Sequence, residues 1–196
     1  MFHPIKHFKT ITNHRHLVMK MCFELGMYRQ GLLHDLSKYS PTEFIPGALY
    51  YQGTESPNNA ERRKKGHSSA WLHHKGRNKH HFEYWIDYTL APDHHIDGNK
   101  MPVKYVVEMY VDRVSASKNY QKHKYTDRSA LEYYEKGKNR YMMHPDTEAL
   151  LVEMLEYLAE NGEEATNDYI RREILHTSKK VATIKRIKER VRNNGR

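Results

Sequence analysis

Histidine is a frequent residue in this chain, at 15 of 196 positions. Imidazole binds transition metals and transfers protons near neutral pH. The histidines that stand in apolar segments are the candidates for such a role, because a solvated histidine would not be expected there. Three stretches qualify: a histidine on an apolar helix face, a His-Asp pair in an apolar segment, and two histidine pairs around a glycine. With an aspartate further along the chain, these residues could form a metal site.

His14 falls on the apolar face of the first predicted helix, residues 12–27, for which Thr10 or Thr12 would be the cap. The apolar residues that follow at helical spacing are Leu17, Val18, Met21, Cys22 and Leu25. His16 is out of phase with them and should be exposed. A lone histidine on such a face is more often a hydrogen-bonded core residue than a ligand, so His14 alone establishes no site.

A vicinal His-Asp pair lies in the short apolar segment Gly31-Leu32-Leu33-His34-Asp35-Leu36-Ser37-Lys38. We predict a short helix there, over residues 30–38. A buried carboxylate without a partner costs several kcal/mol, and a bound cation would remove that cost. Imidazole beside carboxylate is a ligand pair suited to first-row transition metals. The alternative is an ion pair between Asp35 and Lys38.

Two histidine pairs, His73-His74 and His80-His81, flank a glycine-containing break between helices predicted at residues 60–75 and 79–90. A turn at this break could bring both pairs towards one point. The phase of the second helix places His81 nearer its apolar side than His80. The residues alone leave the choice between His73 and His74 open.

Three cations lie between these pairs, Lys75, Arg77 and Lys79, and could contact phosphate oxygens. The alternative for the whole stretch is a basic, solvated corner. Further along, a long helix is predicted to open at Pro102 and to be apolar on two sides. Asp112 interrupts its second apolar stripe and points away from Arg113, so it needs a cation from outside the helix.

In this order, the residues resemble the HD-domain superfamily of metal-dependent phosphohydrolases. His14 with Val18 is similar to the first family histidine, the segment from Leu32 to Lys38 resembles the signature pair, and Asp112 resembles the closing aspartate. The resemblance covers about residues 10–120. Residues 31–44 and 71–85 also look like a family of small bacterial and phage HD-like proteins, which implies no particular substrate.

The resemblance implies an all-α HD-like helical bundle holding one or two divalent transition metal ions, of Mn, Fe, Co, Ni or Zn. Members with two metals share the aspartate of the pair, and the family order favours His73 over His74. The implied ligands are His14, His34, Asp35, His73, His81 and Asp112.

The implied activity is hydrolysis of a phosphoester or nucleotide by a metal-activated water, with Asp35, Lys38, Lys75 and Arg77 as catalytic residues. Two alternatives remain open. The same ligands would serve an HD-type di-iron oxygenase. The chain could also be a nucleic-acid-binding or regulatory protein that keeps an HD fold.

The composition agrees with an intracellular protein. With Cys22 as its only cysteine, the chain can form neither an internal disulfide nor a zinc-thiolate cluster. No signal-peptide pattern and no apolar run near the ~20 residues of a spanning helix is present. We therefore expect a cytoplasmic protein that does not enter membranes.

The net charge of +9 favours an anionic partner. Basic residues concentrate in the last part of the chain, residues 178–196, which could bind nucleic acid or stay solvated. We predict two regions: an HD-like helical domain over residues 1–162 carrying the metal site, and a basic C-terminal helical extension over residues 163–196.

Overall fold

The chain folds mainly into α-helices. The structure, a computed structural model, describes residues 2–90, 92–93 and 95–176. Within these residues lie eight α-helices and one short hairpin. The helices are α1 Pro4–Glu24, α2 Tyr28–Leu33, α3 Pro41–Leu49, α4 Pro57–Lys65, α5 Ser69–Lys75, α6 Val103–Gln121, α7 Ser129–Gly137 and α8 Pro145–Tyr169. Short 3-10 turns occur at Leu36–Tyr39, Phe82–Trp85, Lys122–Lys124 and Lys138–Arg140, and a π-helical segment at Ile170–Leu175.

Helix α1 begins earlier than predicted, because Pro4 supplies a favourable first residue and His3, not a threonine, is the cap. Its buried face repeats every three or four residues: His7, Ile11, His14, Val18, Met21 and Cys22. The predicted phase is confirmed, since His14 is buried and His16 is exposed.

Helix α6 is the central helix of the core. It contacts α1 on one side and α7 and α8 on the other, and its buried residues face more than one direction. The predicted start at Pro102 is confirmed, since Pro102 is the cap of the helix, and the helix ends at Gln121. The core around it is built from residues of α1, α6, α7 and α8, among them Val18, Val107, Tyr110, Leu131 and Leu155.

The helix predicted over residues 60–75 is two helices. Gly66 adopts a positive φ of 80° and ends α4, a conformation that glycine reaches without strain. Ser68 then caps α5 by accepting a hydrogen bond from the backbone N of Trp71 at 3.1 Å. This break allows α5 to turn back and pack against α3.

The prediction of a helix over residues 79–90 is wrong. One 3-10 turn, Phe82–Trp85, is followed by strand β1, Ile86–Tyr88, which pairs antiparallel with β2, Ile96–Gly98. The two apolar residues Phe82 and Trp85, three apart, fit one 3-10 turn as well as a helix. The following β-branched and aromatic residues favour an extended chain.

At the C-terminal side, α8 contains a residue with non-helical backbone, Gly162, with φ 78° and ψ 172°. This residue stands at the predicted boundary between the two regions, and the division itself stays a prediction. Buried residues after it, Ile170 and Ile174 among them, belong to the same core cluster. The basic run at residues 178–196 lies outside the described residues.

Among the residues that the structure describes, no helix combines the length and the apolar character needed to cross a membrane.

Candidate metal centre

The sequence predicts that His34 and Asp35 lie within a short helix. Instead, they lie at the junction between α2 and the 3-10 turn Leu36–Tyr39. Asp35 has left-handed backbone, with φ 55° and ψ 23°, which aspartate tolerates better than most residues. This turn stops α2 and leaves both side chains buried in the interior, where Asp35 is 1% exposed.

The first group of candidate ligands, which we name subsite A, consists of His14, His34, Asp35 and Asp112. His14 comes from α1 and Asp112 from α6. His14 Nε2 lies 2.9 Å from Asp112 Oδ1 and 3.8 Å from Asp35 Oδ2. His34 Nε2 lies 3.3 Å from Asp35 Oδ2 and 3.5 Å from Asp112 Oδ1.

The second group, subsite B, consists of Asp35, His74, His80 and His81. His74 comes from α5, and the other two histidines from the turn after it. The other oxygen of Asp35, Oδ1, lies 3.2 Å from His74 Nε2 and 3.4 Å from His80 Nε2. His74 Nε2 and His81 Nε2 are 2.9 Å apart. Asp35 therefore turns one carboxylate oxygen to each subsite.

These spacings are those of atoms that share one ion. Ligand atoms at about 2.1 Å from a metal, at tetrahedral or octahedral angles, lie roughly 3.0–3.4 Å from one another. Asp35 Oδ2 is ion-paired with Lys38 Nζ. Several of the other atoms concerned are buried and have no hydrogen bond of acceptable geometry: His14 Nε2, His34 Nε2, His80 Nε2 and Asp35 Oδ1. Buried polar atoms without partners are rare in folded proteins, so the residues fit a cation at each subsite.

Burial and mutual charge set the protonation of these groups. Burial alone would raise the pKa of Asp35, but the charges of His34 and Lys38 outweigh it and hold that pKa well below its ordinary value. Burial likewise opposes ionisation of Asp112, and nearby His14 and His34 keep its pKa low. Both carboxylates are therefore charged, as metal ligands must be.

The histidines divide into two kinds. Burial lowers the pKa of His14. Burial together with the charges of His80 and His74 lowers the pKa of His81 well below its ordinary value. The pKa of His34 is raised well above the ordinary value because Asp35 outweighs burial, and the pKa of His74 is raised for the same reason.

Two buried glutamates contact histidines of the subsites at Nδ1, the ring nitrogen opposite the one that faces Asp35. Glu108 Oε1 lies 3.1 Å from His34 Nδ1 and 3.2 Å from His80 Nδ1. Glu43 Oε2 lies 2.7 Å from His74 Nδ1. A carboxylate on the far ring nitrogen fixes the tautomer and makes the facing nitrogen a better metal ligand. Burial raises the pKa of both glutamates, but their hydrogen bonds with the histidines outweigh this effect and lower the pKa.

Sequence reasoning missed both glutamates. A signal existed for Glu108, since it lies one turn before Asp112 inside a helix that is apolar on two sides. Glu43 carries no comparable signal, because it stands in the first turn of α3, where acidic residues are common.

The structure brings together five of the six predicted ligands: His14, His34, Asp35, His81 and Asp112. His73 lies elsewhere, with its Nδ1 2.6 Å from Glu43 Oε1, and its neighbour His74 joins subsite B instead. The choice of His73 followed family order alone and was not supported by helical phase. His80 joins subsite B beside His81, because the turn that carries them is not a helix with one inward face.

The predicted catalytic cations differ in position. Lys38 Nζ is 2.5 Å from Asp35 Oδ2, so Lys38 borders subsite A. Burial lowers the pKa of Lys38, but the charge of Asp35 outweighs it and raises that pKa. Arg77 is exposed, and its guanidinium donates to the carbonyl of His73. It lies outside both subsites.

Lys75 belongs to a group of half-buried cations whose charges act on Glu83, two residues after His81. Burial raises the pKa of Glu83, and the charges of Arg113, Lys75 and Arg62 oppose this rise. Arg62 lies 5.4 Å from the Trp71 ring, and Trp71 packs 4.7 Å from the ring of His81. Glu83 Oε2 is buried without a hydrogen bond.

Comparison with known families assigns the chain by sequence. Residues 3–157 match a family of unknown function, DUF5662. The chain belongs to DUF5662. The matched region includes every residue of subsites A and B. Searches of curated proteins and of solved structures find no match to this DUF5662 chain.

Proposed function

We propose that this DUF5662 chain is a metal-dependent phosphohydrolase of the HD type, with two divalent transition metal ions at subsites A and B and a phosphoester or nucleotide as substrate. The observation that carries the proposal is the shared carboxylate. Asp35 directs Oδ2 to subsite A and Oδ1 to subsite B, with three further ligands at each. Mixed imidazole and carboxylate ligands suit first-row transition metals.

When bound, two ions in such a site make water a nucleophile near neutral pH and polarise a phosphoryl oxygen. The chain's own part is to hold the ligands rigidly and to exclude bulk water. The Asp35 side chain is 2% exposed whereas that of Asp112 is 16% exposed, so the centre opens on the Asp112 side. Trp71 covers His74 and His81 from outside.

An anionic substrate agrees with the charges around the centre. Lys38 borders subsite A. Arg62 packs on the Trp71 ring, which contacts the His81 ring. The charges of Lys75 and Arg113 act, with that of Arg62, on Glu83. The guanidinium Nε of Arg113 is buried without a hydrogen-bond partner. Cations placed beside a reacting phosphoryl group stabilise the charge that develops on its oxygens. We infer that Lys38 and this group of cations bind the phosphate oxygens.

The test starts with elemental analysis by mass spectrometry of protein purified without chelator. The wild type should carry about two equivalents of transition metal. The double variant His34→Ala/Asp35→Ala should carry almost none. His14→Ala should lose the ion of subsite A, and His16→Ala is the matched control, because His16 is exposed on the same helix. Circular dichroism checks that each variant is folded.

Turnover is then measured with p-nitrophenyl phosphate and bis(p-nitrophenyl) phosphate after reconstitution with Mn²⁺ or Co²⁺. Hydrolysis that follows metal content across the variants supports the proposal. Predominant iron, with oxygen consumption and no hydrolysis, would assign the site to the di-iron oxygenase chemistry instead. A wild type that binds no metal, even after soaking and desalting, would contradict both.

A further inference from the structure

Glu108 contacts one histidine of each subsite through a single oxygen. Its Oε1 lies 3.1 Å from His34 Nδ1, in subsite A, and 3.2 Å from His80 Nδ1, in subsite B. The residue is 6% exposed and lies on the central helix α6, one turn before Asp112. The two rings that it joins lie 4.4 Å apart, with 30° between their planes.

The contact fixes the tautomer of both rings. A carboxylate only accepts hydrogen bonds, so Nδ1 of His34 and Nδ1 of His80 must each carry the hydrogen. The opposite nitrogens then keep their lone pairs for an ion beside Asp35: His34 Nε2 lies 3.3 Å from Oδ2, and His80 Nε2 lies 3.4 Å from Oδ1. Glu108 and Asp35 thus lie at opposite ends of the same two rings.

The other buried glutamate serves one subsite only. Glu43 Oε2 contacts His74 Nδ1, and its Oε1 contacts His73, which lies in neither subsite. His74 Nδ1 also lies 3.2 Å from Ser37 Oγ and 3.1 Å from Asn78 Nδ2. Glu43 is therefore a matched comparison for Glu108, with the same chemical group, similar burial and one subsite fewer.

We propose that Glu108 is a positioning residue that couples the two subsites, so that an ion at one orders the histidine of the other. The inference rests on the proposed two-metal centre. An ion at subsite A fixes the His34 ring, and His34 then holds the Glu108 carboxylate in the position that His80 needs. Without Glu108, each ring can rotate or change tautomer independently.

The experiment is a calorimetric titration of the full chain, stripped with chelator, with Co²⁺ alone, and the visible absorption of Co²⁺ is followed in parallel. The wild type should take up two ions with positive cooperativity. Glu108→Leu, which fills a similar volume without an acceptor, should weaken both binding steps about 10- to 100-fold and abolish the cooperativity. Glu43→Leu should weaken one step only.

Glu108→Gln keeps an acceptor oxygen in the same place and should restore most of the affinity lost in Glu108→Leu, a rescue that a merely space-filling role would not give. The inference is overturned if Glu108→Leu weakens one step alone, if it matches the wild type, or if Glu108→Gln is as damaging as Glu108→Leu. A wild type that binds no Co²⁺ overturns it together with the proposed function. Coupled binding of two ions without phosphoester hydrolysis would sustain the coupling and refute the phosphohydrolase alone.

Discussion

Asp35 is the residue whose charge should matter most to this molecule, and Asp35→Asn isolates that charge. Asparagine has nearly the same shape and tolerates the left-handed backbone that residue 35 adopts. The substitution therefore leaves the turn between α2 and the following 3-10 turn intact. Any effect on stability or on metal binding then comes from the missing negative charge.

The magnitude follows from the contacts of the carboxylate. It is almost fully buried, with Lys38 Nζ at 2.5 Å, His74 Nε2 at 3.2 Å and His34 Nε2 at 3.3 Å. Removing one partner of a buried charged pair costs about 3–5 kcal/mol. The Lys38 side chain is 27% exposed and can turn partly to water, so we expect the lower end, about 3 kcal/mol. In a domain of this size that lowers Tm by roughly 6–12 °C.

The assay is thermal unfolding of chelator-stripped protein by circular dichroism, repeated with Mn²⁺ or Co²⁺. Each bound ion at 100 times its Kd should stabilise the wild type by about 2.7 kcal/mol. The Asp35→Asn variant should gain less than about 1 kcal/mol at the same concentration, because both subsites lose a ligand charge. Asp87→Asn is the control, since Asp87 is exposed on β1 and its Oδ1 accepts a hydrogen bond from the backbone N of Tyr88.

Two results would refute this reasoning. One is an Asp35→Asn protein that unfolds at the wild-type temperature without metal, which would mean that the carboxylate is not buried among cations. The other is a variant with the full wild-type gain on adding metal, which would remove Asp35 from both subsites.

Two further predictions concern His7, buried between α1 and α3. Burial, with a smaller contribution from Lys38, lowers the pKa of His7 from 6.5 to about 4. Below about pH 6.5, His7 therefore binds a proton in the unfolded chain but not in the folded chain. The free energy of unfolding falls as pH falls from about 6.5 towards 4. Urea unfolding from pH 7.5 to 4.5 should show the wild type losing about 2 kcal/mol more than His7→Phe, and equal losses would contradict the shift. Gly47→Ala would place a Cβ 2.2 Å from His7 Nε2, so it should destabilise by about 1–3 kcal/mol, whereas alanine normally stabilises a helix. The penalty should vanish in a His7→Ala background, and an additive double variant would show that the penalty does not come from a clash with the His7 ring.

Helical periodicity predicted much of the architecture. The spacing of apolar residues on α1 and α6 placed His14 and Asp112 correctly, because an amphipathic helix buries one face whatever its partner is. The same reasoning failed over residues 79–90. There the apolar residues Phe82 and Trp85 fit one 3-10 turn, and the aromatic and β-branched residues that follow pair in a hairpin with a segment ten residues away.

The histidine pairs show where local pattern stops being informative. Two adjacent residues on a short helix point in different directions, and only packing decides which faces inward. Helix α5 turns His74 towards Asp35 and leaves His73 beside Glu43. After α5, a turn brings His80 and His81 into subsite B together, which no single helical phase allows.

Most of the candidate metal ligands can be named from the sequence, because a histidine or carboxylate in an apolar segment needs a partner that offsets the cost of burial. The helical class of the fold also follows from the sequence. The packing of the helices places the two oxygens of Asp35 against two different groups of candidate ligands, and it brings Glu108 into contact with one histidine from each. The contact between His34 and Glu108 links residues 74 positions apart, and all these distances depend on how α2, α5 and α6 pack rather than on any local pattern.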